Sequence, residues 1–90
     1  MRAAIIARDK PDHQTVRQET RTAHLAYIDA TRVVERAGPL LDDAGDMVGS
    51  LIILDVHNIE AAWNWAEGDP YAKAGLFESV TVMEWKQVIG

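Results

Sequence analysis

Apolar residues fall into short runs at 3–7, 48–56 and 78–89 and into helically spaced sets at 14–32 and 59–68, with turn-forming residues between them. "AAIIA" (3–7) is β-branched at its middle and stops at "RDKPD", which predicts a first strand. "DKPDHQTVRQETRTAHLAYIDATR" (9–32) then predicts a helix, with Pro11 at its entrance, Asp12 as its N-cap and no Gly or Pro interrupting it before Gly38. "VVERAGPLLDD" (33–43) predicts a strand bent at Gly38-Pro39, which places it at a sheet edge or a bulge. "DDAGDM" supplies a turn, and "VGSLIILDV" (48–56) is the strongest strand of the chain. Asn58 caps "IEAAWNWAEG", whose Glu60 sits in the first turn where negative charge is favourable. Asp69 and Pro70 open a short helix in "DPYAKAGLF", and "ESVTVMEWKQVI" (78–89) closes as a strand.

This order predicts an α+β domain over 1–90 with the ferredoxin-like βαββαβ arrangement, a four-stranded antiparallel sheet carrying both helices on one face. A sheet covered on one face should alternate apolar and polar positions. The strand at 48–56 does not. Val48, Ser50, Ile52, Leu54 and Val56 face one way, and Gly49, Leu51, Ile53 and Asp55 the other. The last strand likewise offers Val80 and Val82 on one side and Met83 and Trp85 on the other. The economical cover for the second face is another copy of the chain, so a homodimer or higher homo-oligomer is expected.

On the first helix Val16, Ala23, Tyr27 and Ala30 form one apolar group, and Leu25 and Ile28 lie round the arc. Between them fall Arg17, Thr20, Arg21, His24 and Thr31. His24 therefore points into the arc that should pack on the sheet. Two readings stand: a core histidine satisfied by its neighbours, or a general acid or base in a pocket. Asp69 is equally open, as a helix cap or as part of a site. Trp63 and Trp65 point about 160° apart on a helix, which leaves one of them outside the core. His13 and His57 read as surface residues, and no spacing of the three histidines suggests a metal site.

A net charge of −5 with nine scattered basic residues argues against nucleic acid and anionic membrane as partners. The absence of cysteine removes disulfides, thiol catalysis and thiolate metal sites. No stretch approaches the ~20 apolar residues of a membrane span, and "MRAAIIAR" is too short for a signal peptide core, so a cytoplasmic location is expected. No nucleophile elbow, phosphate loop, dinucleotide fingerprint or zinc signature occurs.

Together, "DKP" after the first strand, "RTAHLAYI", "AGPLLDDAG", "GSLIILDV" and "DPYAKAGLFESVTVMEW" resemble the YciI-like (YCII-related) family over nearly the whole chain. The resemblance implies a dimeric α/β barrel, two ferredoxin-like protomers with their sheets face to face. It also implies an active site in which His24 and Asp69 lie near each other, with Arg21, Ser50 and Tyr71 as substrate-binding candidates. One Asp69 oxygen would then accept a helix N–H while the other orients His24. The implied activity is cofactor-free and metal-free acid–base chemistry, lyase-, dehalogenase- or isomerase-like, on a small hydroxylated cyclic or aromatic compound. Against it stand a non-catalytic dimer that binds a small metabolite, or an accessory subunit of a catabolic enzyme.

Overall fold

The computed structural model describes residues 1–90. Its elements are β1 (Arg2–Asp9), α1 (Gln14–Thr31), β2 (Val34–Leu41), β3 (Met47–Asp55), α2 (Ile59–Gly68), α3 (Pro70–Lys73) and β4 (Phe77–Trp85). The strands form one antiparallel sheet in the order β2-β3-β1-β4, the ferredoxin-like arrangement. β1 lies inside the sheet, and its register sets the core. Ala3 faces Leu54, and Ile5 faces Ile52 on one side and Val82 on the other. These five side chains meet Ala62, Trp65 and Ala66 of α2 on the helix-covered face.

α2 shows why its sequence is helical and where it stops. Asn58 accepts the amide of Ala61, and Glu60 lies in the first turn. At the other end the Asp69 amide turns back to the Ala66 carbonyl, which leaves the Trp65 carbonyl without its helical partner. The Tyr27 hydroxyl donates to it at 2.8 Å, tying α1 to α2. Trp65 is buried and its indole N–H donates to Thr31 Oγ1, whereas Trp63 is exposed.

Several boundaries differ from the sequence reading. Asp12 is not the cap of α1: it holds a φ of 60° in the turn after β1, and His13 takes the cap position without a side-chain capping bond. β2 runs unbroken through Gly38-Pro39, and its register shifts fall at Val34/Arg36 and Leu40/Leu41 instead. Being an edge strand, β2 tolerates a proline that has no N–H to give. β4 ends at Trp85, not near Ile89, because Trp85 already pairs with Arg2 at the start of β1 and no further partner remains.

α1 departs most from a simple amphipathic reading. Its buried residues are Arg17 and His24, flanked by half-buried Thr20, Tyr27, Ile28 and Thr31, while Ala23, Leu25 and Ala30 are exposed. The polar stripe, not the alanine group, faces the sheet. On the far side of the sheet no helix covers Ala4, Ile6, Leu51, Ile53, Met83 and Trp85, which line a shallow apolar trough of about 640 Å³. Leu51, Met83 and Trp85 are exposed there.

Candidate active site

Two polar pairs hang from the inner face of α1, two helical turns apart. The first joins the start of α1 to the end of β1 and to β3. Arg17 donates through Nε to Asp9 Oδ2 at 2.7 Å and through Nη2 to Asp9 Oδ1 at 2.9 Å. The second hydrogen of Nη2 reaches Ser50 Oγ at 2.9 Å. Burial works against the Arg17 charge, but the hydrogen bonds and charge of Asp9 outweigh it, and the guanidinium is held protonated more firmly than usual. Asp9 is the last residue of β1, where the register with β4 shifts, and Ser50 lies in β3 opposite Ala7.

The second pair is His24 and Asp69. His24 Nδ1 lies 2.7 Å from Asp69 Oδ1, with the side chains 8% and 2% exposed. A carboxylate only accepts, so Nδ1 donates, and the neutral imidazole carries its lone pair on Nε2. Nε2 makes no hydrogen bond within the protein. Asp69 also caps α3: its Oδ1 accepts the Tyr71 amide at 3.0 Å, with Pro70 at the first helical position. The same oxygen thus serves helix and imidazole, where the sequence reading divided the two bonds between both oxygens. Asp69 holds a helix end and orients a histidine at once.

Tyr71 touches both pairs. Its ring stacks on His24 with centroids 3.9 Å apart and planes 17° from parallel, and Arg17 Cζ lies 4.7 Å from its centroid. Phe77 supports it edge-on at 6.1 Å. Burial pushes the Tyr71 phenol up, helped by the Asp69 charge and opposed by Arg17 and Arg21, so it stays protonated.

These groups border a cleft of about 190 Å³ between α1, β2 and β3, with Arg17, Arg21, His24, Ser50 and Tyr71 as its polar lining and Leu25, Ile28, Met47 and Ile52 among its apolar walls. His24, Arg21, Ser50 and Tyr71 thus lie around one cavity, and Asp69 stands behind His24, outside the lining. Arg21 is exposed, with no ion pair or hydrogen bond of its own. Sequence reasoning placed Arg17 in the sheet-facing arc but gave it no role, and it passed over Asp9. The available signal was the spacing 17, 21 and 24, which stacks three cationic or titratable residues on one helix face. No group of three or more His, Cys, Asp or Glu side chains converges as metal ligands would.

The family model for the YCII-related domain matches residues 1–86. The protein YciI of Escherichia coli is 38% identical over 94 residues, an alignment covering 93% of this chain and 95% of the relative. Among solved structures, the 5-chloro-2-hydroxyhydroquinone dehydrochlorinase of Burkholderia phenoliruptrix, in complex with 2,5-dihydroxybenzoquinone, superposes with a TM-score of 0.88 at 33% identity, covering 98% of this chain and 96% of that one. Rv0793 of Mycobacterium tuberculosis, at a TM-score of 0.64 and 14% identity with 100% of both chains covered, shares the fold alone.

Proposed function

Since the chain belongs to the YCII-related family, we propose that it is a small-molecule enzyme in which His24 and Asp69 carry out proton transfer on a hydroxylated cyclic or aromatic compound. The observation that carries the reading is the buried His24–Asp69 bond of 2.7 Å, which leaves Nε2 unpaired on a residue that lines the cleft. Nε2 accepts a hydroxyl proton from the ligand and returns it to carbon. Asp69 holds the ring in the required tautomer and supports its positive charge while the proton is bound. Arg21, free of partners at the cleft, stabilises the developing enolate or phenolate.

The dehydrochlorinase relative supports a specific reaction, loss of HCl from a chlorinated hydroxyhydroquinone. The atoms balance without an external oxidant. His24 takes a hydroxyl proton and delivers it to the chlorine-bearing carbon, giving a keto tautomer. A second hydroxyl then loses its proton, chloride leaves with the C–Cl electron pair, and the ring is left at the quinone level. The assay is chloride release from 5-chloro-2-hydroxyhydroquinone by wild type, His24→Gln and Asp69→Asn, each shown to be folded. Both substitutions are expected to lower the rate about 10²–10⁴-fold. Activity that survives both changes overturns the proposal.

The apolar trough on the far face of the sheet supports pairing with a second copy, sheet against sheet, since Leu51, Met83 and Trp85 stand exposed there with no helix above them.

A further inference from the structure

We propose that Asp9, Arg17 and Ser50 form a second relay, which presents the Ser50 hydroxyl hydrogen to an oxyanion of the bound ligand. The inference rests on the reading of the cleft as an acid–base site. It assigns a task to three residues that the His24–Asp69 mechanism leaves unused.

The argument starts from donor arithmetic. A guanidinium has five N–H hydrogens, and three of those on Arg17 are committed, two to Asp9 and one to Ser50. A serine hydroxyl has one hydrogen and two lone pairs. One lone pair of Ser50 faces the Arg17 cation at 2.9 Å, so its hydrogen must point away from the guanidinium. No acceptor in the protein takes that hydrogen, although Ser50 is only 3% exposed and lines the cleft. The hydroxyl already has its partner in Arg17, so its hydrogen is free to meet a ligand oxygen in the cleft.

The chain of bonds is expensive to keep for its own sake. Arg17 and Asp9 are each 7% exposed, and a buried ion pair is commonly replaceable by apolar residues of similar volume without loss of stability. Asp9 also cancels the charge of Arg17. What the trio contributes is direction: a fixed hydroxyl, polarised by a cation that cannot swing away. Arg21 supplies the uncompensated positive charge.

The cleft thus offers an acceptor at His24 Nε2 and a donor at Ser50 Oγ. It is complementary to a ligand with one hydroxyl that gives up its proton and a conjugated carbonyl or nitro oxygen that shares the charge, as in a hydroxyquinone or a nitrocatechol. In that step the ligand O–H bond breaks, the proton goes to Nε2, and the electron pair stays on the ligand. Nothing is oxidised or reduced.

The probe is 4-nitrocatechol, whose visible spectrum separates the phenol from the phenolate. Wild type is expected to bind it as the phenolate, at a pH where the free probe is mostly neutral. Ser50→Ala should weaken binding about tenfold and return the bound spectrum toward the phenol. Ser50→Thr, which keeps the hydroxyl, should restore both. If Ser50→Ala binds the phenolate as wild type does while His24→Gln loses it, the relay is overturned and the base stands. If wild type shows no phenolate, the acid–base reading falls and the relay with it.

Discussion

Replacing Asp9 by Asn should be among the most damaging single changes in this chain, and the structure says why. The substitution removes the charge opposite a guanidinium whose side chain, like that of Asp9, is 7% exposed. Water cannot reach Arg17 well enough to take over, and breaking a buried pair from one side costs about 3–5 kcal/mol. Against a total stability of about 5–15 kcal/mol for a small domain, that is a large share. The molecule contains its own control. Arg2 makes the same kind of two-bond contact with Glu35, at 2.6 and 3.2 Å, but with side chains 41% and 34% exposed. Solvent screens that pair, so Glu35→Gln should barely move the unfolding curve. The assay is urea unfolding at matched protein concentration, read as a midpoint shift at constant slope. A third variant, Asp9→Leu with Arg17→Met, should recover most of the loss, because it removes both charges together. Asp9→Asn shifting the midpoint no more than Glu35→Gln would refute the reasoning, since burial would then make no difference to the pair. A double variant as unstable as Asp9→Asn would show that the pair is kept for stability.

Burial raises the phenols of Tyr27 and Tyr71, with the Asp69 charge adding to both, so above about pH 10 the folded state binds more protons than the unfolded chain. Their contribution is complete below the ordinary tyrosine value and is lost as pH rises through the folded values; urea midpoints taken across that range should fall, and Tyr27→Phe with Tyr71→Phe should flatten the slope. A Cβ on Gly68 would run into the Tyr27 hydroxyl that holds the Trp65 carbonyl. Gly68→Ala should therefore cost about 1–3 kcal/mol in thermal or urea unfolding. A Cβ on Gly38 meets nothing within 4 Å, and Gly38 pairs with Leu51 on the uncovered face. Gly38→Trp should leave the protomer folded yet shift sedimentation toward monomer, and an unchanged dimer would count against sheet-to-sheet pairing.

The fold was readable because its elements announce themselves locally. The β-branched runs, the Asn58 cap and the Asp69-Pro70 start all lie within a few residues of what they control. His24 was conspicuous for breaking an arc expected to be apolar. The same arc misled where alanine was concerned: Ala23 and Ala30 carry too little surface to decide which way a helix turns, and the buried polar stripe decided it. Arg17 lay in view on that stripe, but an arginine on a helix is usually a solvated residue, and nothing nearby in sequence marks its partners. Asp9 and Ser50 come to it only through the turn at Asp12 and the β1–β3 register. Such relations arise from tertiary geometry and leave no periodicity to read.

The measurement that bears most directly on the central claim is single-turnover chloride release from the chlorinated substrate proposed above, by wild type and by folded His24→Gln. Wild type should release chloride, and the variant should fall to near the uncatalysed rate. Equal release by the two proteins would contradict the assignment of His24 as the group that moves the proton.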